Sequence, residues 1–158
     1  MSDGPSILLE SARTYLARGY AVIPVPARKK IPVLKGWTDL RLSASDLPAH
    51  FNGTGNIGVL LGEPSGWLVD VDLDCEEAVA LAPKFLPPTG AMSGRPGKPA
   101  SHWWYICEGI KTRKHQDPVS KKMIVELRST GAQTVVGPSI HPSGEPYDPL
   151  DGEPAVVD

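Results

Sequence analysis

A chain of 158 residues suffices for one domain with a proper core, and 41% apolar with 22% charged residues is the composition of an ordinary globular protein. No apolar run approaches 18 residues and residues 1–10 lack a basic start, so neither a membrane span nor a secretory leader is expected; with two cysteines, Cys75 and Cys107, that make neither a disulfide framework nor a zinc pattern, the expected setting is cytoplasmic. The net charge of −2 is not that of a protein coated by nucleic acid, yet basic residues gather at 28–30, 111–114 and 121–122, so composition neither supports nor excludes a nucleic-acid partner.

In chain order, Leu8, Ala12, Tyr15 and Leu16 recur at helical spacing and predict an amphipathic helix over 6–18, stopped by Gly19. The aliphatic stretch 20–25 predicts a buried strand, and 26–37, with two prolines and a Gly-Trp pair, an ordered loop. Ser43 with Asp46 three residues on predicts a short helix ending near Phe51. Strands are predicted over 56–61 and 67–72, separated by the turn residues 62–66. Asp74 with Glu77 predicts a capped helix over 74–82 that Pro83 ends or kinks. A Gly/Pro-rich basic loop is expected over 93–100, then strands over 102–107, 123–127 and 133–136, the last two joined as a hairpin through 129–131, and an extended tail over 137–158. Helices and strands in this order predict an α+β or α/β class in one compact domain over 1–158.

The sharpest chemical signal is Asp70-Val71-Asp72. Residues two apart on a strand face the same side, so the two carboxylates project together about 6–7 Å apart. Side by side they repel, and a fold gains little from placing them there unless a cation sits between them; hard oxygen ligands suit Mg²⁺ or Mn²⁺. Asp74 is explained as a helix cap. Glu126, the lone acid in the apolar run 123–127, is the candidate third carboxylate, with Arg128 on the same strand face. His102 follows a loop with Arg95, Gly97 and Lys98, where backbone N–H groups and cations can meet phosphate. Trp103 and Trp104 must face opposite ways; one is expected in the core, and the other either in the core of a two-layer fold, the favoured reading, or as a base-stacking platform. Two prolines flank Ser139-Ile140-His141, a rigid unit that can contact phosphate or sugar; no Gly-x-Ser-x-Gly nucleophile elbow supports a hydrolase triad.

Taken together and in order, these segments resemble the primase–polymerase domain of the archaeo-eukaryotic primase superfamily, found in replication proteins of phages, plasmids and other mobile elements. Residues 12–25 resemble its opening helix and strand, Lys30-Ile31-Pro32 with Gly36-Trp37 its Lys-x-Pro…Gly-Trp loop, and 56–62 the segment before its acidic strand. Asp70-Val71-Asp72 resembles its first motif, His102 its phosphate-contacting histidine, Glu126 its third acid, and 137–144 its Pro-Pro-Ser-x-His-Pro-Ser-Gly loop. Three positions depart: Ala100 stands where a serine is frequent, with Ser101 beside His102; Glu126 replaces an Asp; Gly137 replaces a Pro.

The resemblance implies an α/β module joined to an RRM-like sheet, with the active site between them. It implies DNA primase/polymerase activity, in which Asp70, Asp72 and Glu126 hold two Mg²⁺ or Mn²⁺ ions and His102 binds the triphosphate. Arg95, Lys98, Ser101, Arg128, Lys30, Ser139 and His141 complete the implied nucleotide pocket. The implied partners are a single-stranded DNA template, a primer strand and (d)NTPs, with a helicase downstream in a larger replication protein. The rival readings are a metal-dependent phosphohydrolase or nuclease, disfavoured because Asp74 stands where the haloacid-dehalogenase motif wants Thr or Val, and a non-catalytic module that binds single-stranded DNA.

Overall fold

A computed structural model describes residues 6–158; part of the opening stretch inspected for a leader, residues 1–5, lies outside them. The elements in order are α1 (Ile7–Ala17), β1 (Val22–Val25), α2 (Leu47–His50), β2 (Asn56–Leu60), β3 (Leu68–Leu73), α3 (Glu76–Phe85), β4 (Met92–Arg95), β5 (Lys98–Ile106), β6 (Arg113–Gln116), β7 (Met123–Arg128), β8 (Gln133–Val136) and β9 (Ala155–Val156). The fold is α+β, with two sheets. A small antiparallel sheet runs β1-β2-β8; a larger one runs β4-β5-β3-β7-β6, with β9 joining β5 in parallel.

The larger sheet has two different faces, and β3 shows why. Val69, Val71 and Leu73 point one way, into an apolar layer with Trp103, Tyr105 and the α3 residues Ala78, Val79 and Ala82. Leu68, Asp70 and Asp72 point the other way. At the Leu68 end, this second face joins the main core with Trp104, α1, Phe51 and the small sheet. Towards Asp72 it opens into a cavity of about 550 Å³. One strand face thus passes from core to site within four residues. Both tryptophans are core, as expected, on opposite faces; the buried Trp104 Nε1–H donates to Ser93 Oγ at 2.8 Å.

Local chemistry accounts for most termini. Ser6 caps α1, its Oγ accepting from the Leu9 N–H at 3.2 Å, and Gly19 at φ +87° ends the turn. The Tyr15 hydroxyl donates to Gly137 O at 2.6 Å and accepts from the Leu150 N–H, tying α1 to the tail. The Ser43–Asp46 pair forms, with Asp46 Oδ2 accepting from the Ser43 N–H at 2.8 Å, ahead of the single turn of α2.

Four expectations fail. The first concerns α3, which starts at Glu76 with Cys75 as its N-cap; Asp74 caps nothing, and Pro83 lies within the helix, whose Leu86 N–H still bonds Ala82 O at 2.8 Å. Second, residues 93–100 are not a loop but most of a β4–β5 hairpin turning at Pro96-Gly97. Third, β7 and β8 do not form a hairpin: β7 lies between β3 and β6, while β8 pairs with β2 in the other sheet. The link 129–132 bends instead, the Ser129 N–H donating to Thr112 Oγ1 and the Ala132 N–H to Ser129 O. Fourth, β6 was not anticipated. All four of its residues are exposed, so it carries no burial pattern and exists through its pairing with β7.

Candidate active site

Strand register assembles the site. Asp72 on β3 lies opposite His102 on β5 and opposite Glu126 on β7, and Asp70 lies opposite Trp104 and Arg128. Directly paired residues share a face, so the carboxylates, the imidazole and the guanidinium all point towards the cavity side. Continuing past the last residue of β3, the Asp74 N–H still bonds Ile124 O of β7 at 2.8 Å. Asp74 therefore keeps the alternation of the strand and projects with Asp72. Oxygen atoms of Asp72, Asp74 and Glu126 lie within 4.8 Å of one another, an acidic cluster with the donor chemistry of a hard divalent cation.

Cations bind this cluster from its borders. Arg128 reaches Asp72 Oδ2 at 2.8 Å through Nη2 and Glu126 Oε2 at 3.3 Å through Nε. Lys98 Nζ lies 3.4 Å from Asp74 Oδ1, and Lys114 Nζ lies 4.0 Å from Glu126 Oε1. Burial raises the Asp72 pKa above the ordinary carboxylate value; Asp70 and Asp74 add to this, while His102 and Arg128 oppose it.

Asp70 stands apart. It is fully buried and does not line the cavity. Its Oδ2 accepts from the Thr134 hydroxyl at 2.7 Å and from His102 Nδ1 at 2.8 Å. A carboxylate can only accept, so Nδ1 carries the proton in that contact and Nε2 is the ring's remaining polar atom. Burial depresses the His102 imidazole, but the charge and hydrogen bond of Asp70, with Asp72, outweigh it and leave the pKa above the ordinary histidine value. Thr134 comes from β8 in the other sheet, and its Oγ1 also accepts from Arg128 Nη1 at 3.2 Å. One hydroxyl thus joins the two sheets at the site.

Basic groups share the cavity with the acidic cluster: Lys30, Arg95 and Lys98 line it, together with His141. The Lys30 pKa falls, first through burial and then through Arg95, with Asp72 opposing; that of His141 falls through burial, Arg95 and Lys30. His141 Nδ1 accepts from the Ser143 N–H at 3.0 Å, so Nε2 is the protonated nitrogen of the neutral ring, and it is buried without a partner. Glu145 pairs with Arg95 at 3.0 Å and accepts from the Gly97 N–H and the Ser143 hydroxyl.

Of the residues singled out in the sequence, Asp72, Glu126, His102, Arg95, Lys98, Ser101, Arg128, Lys30 and His141 line one cavity, with Asp70 behind it. Ser139 does not line it, because its hydroxyl accepts from the Ile57 N–H at 2.8 Å and anchors the tail to β2. Sequence reasoning missed Asp74, Thr134, Glu145 and Lys114. For Asp74 the signal was present, as the third member of an alternating Asp series; the other three are brought in by long-range pairing. Residues 12–157 match the family model described as bifunctional DNA primase/polymerase, N-terminal. No curated protein matches the chain.

Proposed function

The chain belongs to the bifunctional DNA primase/polymerase N-terminal family, and from that premise we propose that the cavity joins the 3′-hydroxyl of a DNA strand to the α-phosphate of a nucleoside triphosphate, directed by a template and releasing pyrophosphate. The carrying observation is that one cavity brings a carboxylate cluster together with cationic and N–H groups that can bind a triphosphate. Asp72, Asp74 and Glu126 would hold Mg²⁺ or Mn²⁺, which when bound lowers the proton affinity of the attacking hydroxyl and neutralises the leaving group. For the two-ion set implied by the resemblance to include Asp70, that buried residue must turn a remaining carboxylate lone pair, beside its bonds to His102 and Thr134, towards the ion.

The protein's own groups do the rest. Lys30, Arg95, Lys98 and the unpartnered Nε2–H of His141 face the triphosphate, and Ser101 lies beside them. His102, oriented through Nδ1 by Asp70, offers Nε2–H to a phosphate oxygen, and the raised pKa favours the imidazolium for that purpose. Arg128 fixes Asp72 and Glu126 before any ion arrives. One bond forms between the 3′-oxygen and the α-phosphorus, and the α–β bridging bond breaks. Residues 1–158 would act as one catalytic domain, with an associated helicase supplying unwound template.

The test is pyrophosphate release on a primed template with dNTPs and Mg²⁺ or Mn²⁺. Asp72→Asn and Glu126→Gln should each lower the rate about 10²–10³-fold while the folded state persists. Template-independent phosphate release, or shortening of the primer without dNTPs, would support the hydrolase reading instead. Binding of DNA with no turnover would support the non-catalytic one.

A further inference from the structure

The basic runs at 111–114 and 121–122 are one feature in three dimensions. Lys111 leads into β6, Arg113 and Lys114 lie on it, and Lys121 with Lys122 closes the turn back into β7. All five are exposed. The segment 111–122 holds five of the chain's 16 Lys and Arg residues and one of its 18 Asp and Glu residues. That one, Asp117, is turned onto the Val119 and Ser120 N–H groups. An acidic protein thus carries a basic ridge along one sheet edge, with Arg113 opposite Leu127 on the face turned from the site and Lys114 opposite Glu126, where it lines the cavity.

Sheet order gives the ridge a direction. Along β4-β5-β3-β7-β6, the triphosphate donors Arg95 and Lys98 stand on β4 and β5, the carboxylates of Asp72 and Glu126 on β3 and β7, and the ridge beyond them on β6. In-line displacement places the attacking and leaving oxygens on opposite sides of the α-phosphorus. With the leaving pyrophosphate on the β4–β5 side, the 3′-hydroxyl must approach from the side of β7 and β6. We propose that the β6 edge, through Lys111, Arg113, Lys114, Lys121 and Lys122, holds the phosphate backbone of the primer strand behind its 3′ end. The assignment rests on the nucleotidyl-transfer reading for its direction. From Lys111 to Gln116 the edge runs roughly 17 Å, the axial rise of about five base pairs. Lysines on an exposed edge strand also deter pairing with other chains, and the test separates that role from DNA binding.

The experiment measures binding of a labelled primer–template by fluorescence anisotropy between 50 and 200 mM salt, without nucleotide. Each lost phosphate contact removes about 0.7–0.9 from the slope of log affinity against log salt. The triple variant Arg113→Gln/Lys121→Gln/Lys122→Gln should lower the slope by about 2 to 3 and weaken binding at least tenfold near 0.1 M salt. Arg13→Gln/Lys84→Gln, on α1 and α3, should change neither. Neutral methylphosphonates at the last primer phosphates should lower the slope of the wild-type protein and erase its difference from the triple variant. An unchanged slope in the triple variant, with or without new self-association, overturns the proposal. So does an equal loss in the control pair, or convergence produced by methylphosphonates on the template and not on the primer. Binding is read without turnover, so a failure of pyrophosphate release in the wild-type protein would indict the reaction and not the ridge.

Discussion

Thr134→Val tests whether the two sheets are coupled through the site. Valine has nearly the shape of threonine, so the substitution removes a hydroxyl without opening a cavity. That hydroxyl is 3% exposed as part of Thr134, donates to Asp70 Oδ2 at 2.7 Å and accepts from Arg128 Nη1 at 3.2 Å. A hydrogen bond to a charged group is worth about 1.5–3 kcal/mol net, and a buried carboxylate left short of a donor keeps its full desolvation cost. Asp70 retains His102, and Arg128 retains Asp72 and Glu126, so the loss should stay near that range, about 2–3 kcal/mol. For a domain of this size each kcal/mol moves the Tm by roughly 2–4 °C, which predicts a fall of about 4–12 °C. Thr134→Ser keeps the hydroxyl and gives up one methyl, costing about 1 kcal/mol. Urea and thermal unfolding measure stability, and the KM for nucleotide, read beside kcat, measures the site. If the hydroxyl positions His102 through Asp70, the valine variant raises KM and the serine variant restores it. A valine variant within 0.5 kcal/mol of wild type, or a serine variant as damaged as the valine one, would refute the reasoning.

Two further outcomes follow from the same geometry. Asp74→Asn should weaken Mn²⁺ binding about tenfold or more, seen as free-ion signal in electron paramagnetic resonance without any turnover; Asp70→Asn should leave that titration nearly unchanged, and if Asp70→Asn weakens it more than Asp74→Asn, the two residues have been assigned the wrong way round. Glu145 has its pKa held below the ordinary glutamate value, first by the Gly97 N–H, with burial opposing it next, and then by Ser143 and Arg95. A depressed folded-state pKa gives a contribution that is present above the unfolded pKa and lost as pH falls through the folded one. The Gly97 amide resonance should therefore titrate with a midpoint below the ordinary glutamate value, and Glu145→Gln should abolish the transition.

What was legible in the sequence is what local pattern can encode. Gly19 stops α1, and the alternation of β3 puts Asp70 and Asp72 on one face; both follow from a few adjacent residues. The order of segments from 12 to 144 carried the family resemblance, and the family match over residues 12–157 contains that stretch. What stayed hidden depends on pairing between distant segments. Ser139 and His141 stand two apart as a mirror of the Asp pair, but the Ile57 N–H takes the Ser139 hydroxyl. Nothing near β6 announces a strand, because an exposed edge needs no apolar alternation. Nothing near residues 129–131 shows that β8 leaves for the other sheet.

Asp74 is the instructive case, because two local readings compete for it. Asp74 and Glu77 have the spacing of a capping box, and Asp70, Asp72 and Asp74 have the spacing of a strand face. Capping would require Asp74 to leave the sheet. The hydrogen bond from its N–H to Ile124 O holds it there for one residue more, and the helix begins at Glu76 with Cys75 as a cap that makes no side-chain bond. The helix thereby gives up a cap, which is typically worth about 1 kcal/mol. In exchange, a third carboxylate stands beside Asp72 and Glu126. A sequence that forgoes a cap to gather like charges is one whose local preference has been overruled. Lys98 and Arg128 on the borders of the cluster are what make that arrangement tolerable.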